Sequence, residues 1–126
     1  MRTFDELMER VGPYKTLYRI FDEDVGYIVW RLGTGDNIEV LFIEAKEPGK
    51  GYGKELFRRM VRSIESNKRQ PYHSVYVYRL GANELARRLY AKLGCKEINL
   101  GQSVYRDDET VIAWITWEDL KRAVGE

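Results

Sequence analysis

The sequence predicts an α/β fold on a mixed sheet, and three observations carry that prediction. Extended runs at 14–22, 25–32 and 37–45 follow one another across short polar or glycine-bearing turns, the pattern of an antiparallel meander. A helical period over 53–66 separates the third run from an extended stretch at 73–79, so those two strands run parallel around a crossover helix. A second helical segment and a closing pair of strands complete the chain.

The elements follow in order. Phe4, Leu7, Met8 and Val11 fall on one face of a short helix that Thr3 and Glu6 begin as a capping box and Gly12-Pro13 end. In the third extended run Val40-Leu41-Phe42-Ile43 is apolar on both faces, as a central strand requires. Leu56, Met60, Val61 and Ile64 mark the crossover helix, and Val75-Tyr76-Val77-Tyr78 the strand after it. Leu85, Leu89 and Leu93 give a second helix ending at Gly94. Strands at about 96–105 and 110–117 then form a hairpin around a turn at 106–109, and a short amphipathic helix, 117–124, closes the chain.

The 126 residues fit one domain, 1–126, without staples. A formal charge of +1, from 21 basic and 20 acidic side chains, gives no global field toward nucleic acid or an anionic membrane, and neither partner is expected. Cys95 and His73 are the lone members of their types, which excludes an internal disulfide and a Cys/His zinc site; no metal is expected. No run is long enough to span a bilayer, and the charged N-terminus lacks a signal-peptide core, so a reducing cytoplasm is the default.

The chemistry is expected at the end of the third strand. Gly49, Gly51 and Gly53, with Lys50 and Lys54, precede the crossover helix. Glycines there let the backbone approach a ligand, and N–H groups feeding a helix N-terminus make a phosphate cradle. An ordinary tight strand-to-helix turn accounts for the glycines equally well. Walker A fails because Pro48 holds the place of its first glycine and Glu55 follows Lys54, and a dinucleotide fingerprint lacks its third glycine. Lys50-Gly51-Tyr52-Gly53 followed by Phe57 matches part of an RNA-binding RNP1 strand, but Lys54 and Glu55 stand where that motif is apolar.

The second helix weighs on the choice. The strand Ile38–Ile43 with Pro48-Gly49-Lys50-Gly51-Tyr52-Gly53, and then Asn83-Glu84-Leu85-Ala86-Arg87-Arg88-Leu89-Tyr90-Ala91-Lys92-Leu93-Gly94-Cys95, together resemble the GNAT superfamily of N-acetyltransferases over roughly residues 25–117. The resemblance implies a GNAT-like fold with splayed parallel strands, and an enzyme that moves the acetyl group of acetyl-CoA to a small-molecule or peptide amine by direct attack. It further implies that Gly49, Lys50, Gly51, Tyr52, Gly53 and Lys54 bind the pyrophosphate through backbone N–H groups. Leu41, Phe42 and Ile43 would offer backbone to the acetyl and pantetheine arm. Asn83 would contact the coenzyme and Tyr90 would be the general acid. Read from the residues alone, Asn83 is equally an N-cap and Tyr90 a core tyrosine.

Three departures stand out. Pro48 replaces the family's Gln or Arg, Cys95 replaces its Phe, and one predicted helix precedes the meander where the family has a further strand and helix. The alternatives are a coenzyme-binding module without catalysis and, more distantly, an RNA-binding domain. A homodimer is allowed, since nothing in the sequence sets an oligomeric state. Glu39, Glu44, His73 and Tyr78 are placed to serve as base but read first as structural or solvent-facing, and none is named as catalytic; Tyr14, Tyr18, Tyr27 and Trp30 could line the acceptor side, though aromatics in strands usually just pack the sheet.

Overall fold

The computed structural model describes residues 17–33, 35–67, 72–80, 82–102 and 109–126. The helix expected at 3–12, residues 14–16 of the first extended run, and the turn at 106–108 lie outside them. β1 (Tyr18–Asp22), β2 (Gly26–Leu32) and β3 (Ile38–Ala45) form the antiparallel meander. α1 (Tyr52–Ser66) crosses to β4 (Ser74–Leu80), which runs parallel to β3. After α2 (Glu84–Leu93) come β5 (Lys96–Gln102), β6 (Glu109–Thr116) and α3 (Trp117–Ala123).

The sheet order is β1-β2-β3-β4-β6-β5. β6 lies antiparallel to both β4 and β5, so β5 runs parallel to β4, and β4-α2-β5 is a second crossover that steps over β6. A helix that returns the chain between parallel strands runs against them. α1 and α2 therefore both begin at the C-terminal ends of β3 and β4.

Both helices cover one face of the sheet. Leu56, Phe57, Met60 and Val61 of α1 and Tyr90 and Leu93 of α2 share one buried core with the inward residues of β2, β3, β4 and β6. Each such large apolar side chain contributes about 1.5–3 kcal/mol by leaving water. The other face carries a smaller cluster around Tyr27 and Val29, and a polar row beside it. There Arg31, Glu39 and Tyr76 sit opposite one another on β2, β3 and β4. Glu39 is only 8% exposed. Its carboxylate accepts from Arg31 Nη2 at 3.0 Å and from the Tyr76 hydroxyl at 2.8 Å, which offsets the cost of burying the charge.

Candidate active site

β3 and β4 pair through only three residue pairs, Ile38–Val75, Glu39–Tyr76 and Val40–Val77. Beyond them Leu41–Ala45 and Tyr78–Leu80 have no partner in each other. The separation begins at a β-bulge: Trp30 is opposite Val40 and Val29 opposite Phe42, leaving Leu41 as the extra residue. The Lys46 N–H donates to the Val25 carbonyl at 2.8 Å. Because hydrogen-bonded and open pairs alternate along an antiparallel ladder, Phe42 and Glu44 direct their backbone groups to β2. Ile43 and Ala45 direct theirs into the gap.

The same end of the sheet carries the glycine loop. Gly49 and Gly51 have φ of 75° and 76°, a region where a side chain is strained. Gly51 is the N-cap of α1 and supplies no side-chain cap; the first bond within the helix runs from the Glu55 N–H to the Gly51 carbonyl at 3.1 Å. The N–H groups of the first turn, on Tyr52, Gly53 and Lys54, thus lack helical acceptors, and the helix dipole makes this a favourable place for an anion. Glu55, the acidic residue of this turn, is paired with Arg58 and Arg59. Against the cost of its burial, those arginines hold its carboxyl below the ordinary range.

Gly53 has another constraint. A Cβ there would lie 2.7 Å from Leu89 Cδ2, so its missing side chain lets α1 and α2 touch. That contact sets the relative height of the helices. α2 begins five residues before Leu89 and α1 one residue before Gly53, so at 1.5 Å per residue the first turn of α2 rises about 6 Å above the start of α1. Asn83 stands on this overhang and is exposed. Its Oδ1 accepts from the Ala86 N–H at 3.1 Å, so Asn83 is the N-cap of α2.

Tyr90 lies about two turns further down. It shares the buried core with Val77, where the parallel pairing ends. It is 2% exposed, its ring meeting Phe57 edge-to-face at 6.4 Å. Burial pushes its phenol above the ordinary tyrosine range. No hydrogen bond fixes its hydroxyl among the described residues.

The sequence matches no family model and no curated protein. Solved structures match it in fold. A spermidine N-acetyltransferase from Vibrio cholerae, solved with CoA and spermine, gives a TM-score of 0.68 at 20% identity, covering 95% of this chain and 79% of that one. An acetyltransferase of the GNAT family from Desulfovibrio desulfuricans gives 0.66 at 18% identity, covering 89% and 75%. The chain has the GNAT fold. A Bacillus subtilis acetyltransferase in complex with CoA, at TM-score 0.60 and 16% identity over 90% of this chain and 84% of its own, agrees.

Within this GNAT fold, Leu41, Ile43, the loop 49–54 and Asn83 lie at the end where β3 and β4 part, and Tyr90 lies in the core shared with Val40 and Val77. Phe42 lies there too, but its backbone is turned to β2 and not to the gap, against expectation, because the ladder phase set by Lys46 and Val25 consumes it. The RNP1 alternative fails, because a strand was needed where α1 runs from Tyr52. Pro48 lies in the turn before the free N–H groups and removes none of them. Cys95 packs partly buried against the core, and burial pushes its thiol up to about 12, too high for a reactive thiolate.

The other candidates separate. Tyr18 and Trp30 stack on each other at 5.9 Å and line a cavity of about 180 Å³ with Ser63, Asn67 and Tyr72, at the far end of α1 from the glycine loop. Tyr27 is buried and donates to Glu44 at 2.6 Å, and Tyr14 lies outside the described residues. His73 sits at the start of β4, away from the parting strands, and Glu39 is committed to Arg31 and Tyr76. Tyr78, half-exposed, is the first residue of β4 past the pairing. Sequence reasoning missed the Gly53–Leu89 contact and the inward Arg79. For the latter a signal existed, since Val75, Val77 and Arg79 alternate in one register and the last breaks the apolar pattern.

Proposed function

We propose that this chain transfers the acetyl group of acetyl-CoA to a primary amine of a small molecule or peptide. The observation that carries the reading is the combination of three features: parallel strands that part after Val40 and Val77, the N-terminus of α1 without a side-chain cap, and Tyr90 buried in the core that holds Val40 and Val77. Residues 49–54 would hold the pyrophosphate on backbone N–H groups, the lysines at 50 and 54 adding charge. Asn83 would meet the arm from the α2 overhang while its Oδ1 remains the cap.

Between the strands, the N–H of Ile43, turned into the gap, would meet the charge developing on the thioester oxygen, with Leu41 and Phe42 beside it on the strand. Confinement of both reactants in the gap would supply much of the acceleration. Tyr90 would give its proton to the departing thiolate, with the amine's proton leaving through water. Solved chains of this fold include a spermidine N-acetyltransferase and a ribosomal-protein-S18-alanine N-acetyltransferase, which supports an amine acceptor of either size.

The test is a thermal-shift titration with acetyl-CoA, followed by acetyl transfer to a panel of polyamines, arylalkylamines and N-terminal peptides. Binding should raise the melting temperature by mass action. A melting temperature indifferent to saturating acetyl-CoA would remove the coenzyme site; binding without transfer to any amine would favour the coenzyme-binding module.

A further inference from the structure

Beneath α2 lies a cluster of ionisable groups that acyl transfer, as described, does not use. Arg79 is two residues past the last parallel pair, in the inward register of Val75 and Val77. Its side chain is 8% exposed. It spans β6 to reach β5, where its Nε donates to Glu97 Oε2 at 2.8 Å and its Nη2 approaches the same oxygen. Val111 and Ala113 of β6 lie opposite Arg79 and Glu97, and the short side chain of Ala113 leaves room for the span. Glu97 shares the register of Cys95, whose N–H donates to the Tyr90 carbonyl at 3.0 Å. The main chain of Tyr90 is thus tied to Cys95, two residues before the glutamate that holds Arg79. Plain packing would be met by an aliphatic side chain at position 79, as at 75 and 77, without the cost of burying a charge.

We propose that Arg79, held by Glu97, is a positioning residue for Tyr90, fixing a positive charge beside the phenol that helps it release its proton. The inference rests on Tyr90 acting as the acid. As the new C–N bond forms and the C–S bond breaks, the thiolate takes the phenolic proton and leaves a phenolate. The proton shed by the amine returns to that phenolate through solvent. Arg79 lowers the energy of the phenolate, and Glu97, as its counter-charge, raises it. Among the described residues, the ionisable groups facing Tyr90 are Arg79 from β4, Cys95 from the turn after α2 and Glu97 from β5, while α1 contributes the Phe57 ring. Burial dominates the phenol's upward shift, with Cys95 and Glu97 adding to it and Arg79 opposing.

A difluorotyrosine in place of Tyr90 titrates within a range that the folded protein tolerates, and absorbance reads its ionisation independently of turnover. Arg79→Gln should raise its pKa by about one unit and Glu97→Gln should lower it, a difference in sign that packing damage does not produce. With the natural tyrosine, Arg79→Gln should reduce kcat roughly tenfold and leave the KM for acetyl-CoA nearly unchanged. Where Arg79→Gln does not fold, Arg79→Lys should keep the pKa near its starting value while Glu97→Gln still lowers it. Shifts of one sign in Arg79→Gln and Glu97→Gln, or a phenol indifferent to Glu97→Gln, overturn the inference. Turnover that survives Tyr90→Phe overturns the acid reading and this inference with it. Turnover lost in Tyr90→Phe, with a phenol indifferent to both neighbours, overturns the inference alone.

Discussion

Along β3, Ile38, Glu39 and Val40 are buried and paired by β2 on one side and β4 on the other, whereas Leu41 to Ala45 are half-buried, Phe42 to Ala45 paired by β2 alone and Leu41 bulged out of the ladder. The two stretches are continuous and similarly apolar, yet their backbone groups have different uses. In the lower half every polar group is consumed by the ladder, and the side chains fill the core. In the upper half the bulge at Leu41 turns the strand from β4, and the groups of Ile43 and Ala45 are left for a ligand on the proposed reading. Changes below should therefore move stability, and changes above should move turnover.

The largest expected effect tests the upper half. Tyr90→Phe should lower kcat by roughly 10²–10⁴, the worth of a positioned acid. Because no hydrogen bond holds the hydroxyl among the described residues, the melting temperature should stay level or rise. A drop in melting temperature with undiminished turnover would make Tyr90 a core residue and blur the division. Next comes the lower half: Ile38, fully buried, should cost about 2–5 kcal/mol as Ile38→Ala. Urea denaturation measures it, and the folded variant should keep the wild-type kcat.

Gly51→Val is smaller and belongs above. The left-handed backbone at φ 76° costs a β-branched residue about 1–2 kcal/mol, and its side chain crowds the anion approach. Acetyl-CoA should bind about tenfold or more weakly, by calorimetry, in a protein that still folds. Unchanged affinity would move the phosphate contact off this loop.

The smallest effect appears in alkali. Burial first, then the hydrogen bond to Glu39, raises the Tyr76 phenol from 10.0 to about 12; burial raises the Cys95 thiol from 9.0 to about 12. The unfolded chain loses these protons first, so the stability they contribute is complete below about pH 9 and declines as pH rises toward 12. Urea midpoints at pH 7, 9 and 10.5 should show the fall, and Glu39→Gln should soften it by removing the carboxylate that opposes the Tyr76 phenolate. A midpoint level across that range would contradict the shifts.

Local patterns in the sequence carried the fold where the physics is local. Period and turn residues gave the meander, the crossover and the closing hairpin, since each depends on neighbours a few positions apart. The insertion of β6 between β4 and β5 was not legible, because a hairpin can add to an edge by either strand and only long-range packing chooses. The bulge was hidden too: Val40-Leu41-Phe42-Ile43 is apolar throughout, so no alternation marks the residue at which the faces slip. At the candidate site, Gly49 and Gly51 were readable as backbone that needs positive φ. Gly53 looked like a third of the same kind, and its contact with Leu89, 36 positions away, could not be seen from its neighbours.

That contact also makes Gly53 a gauge of zero thickness. The slot between the heads of α1 and α2 is as wide as a hydrogen atom against a leucine methyl allows. Alanine there would act as a shim, tilting the two helix heads apart and opening the slot toward bulkier guests. Trimming Leu89 would let the heads close and narrow it. On the proposed reading, the room at the helix heads is thus set by an absent side chain on one helix and a leucine on the other.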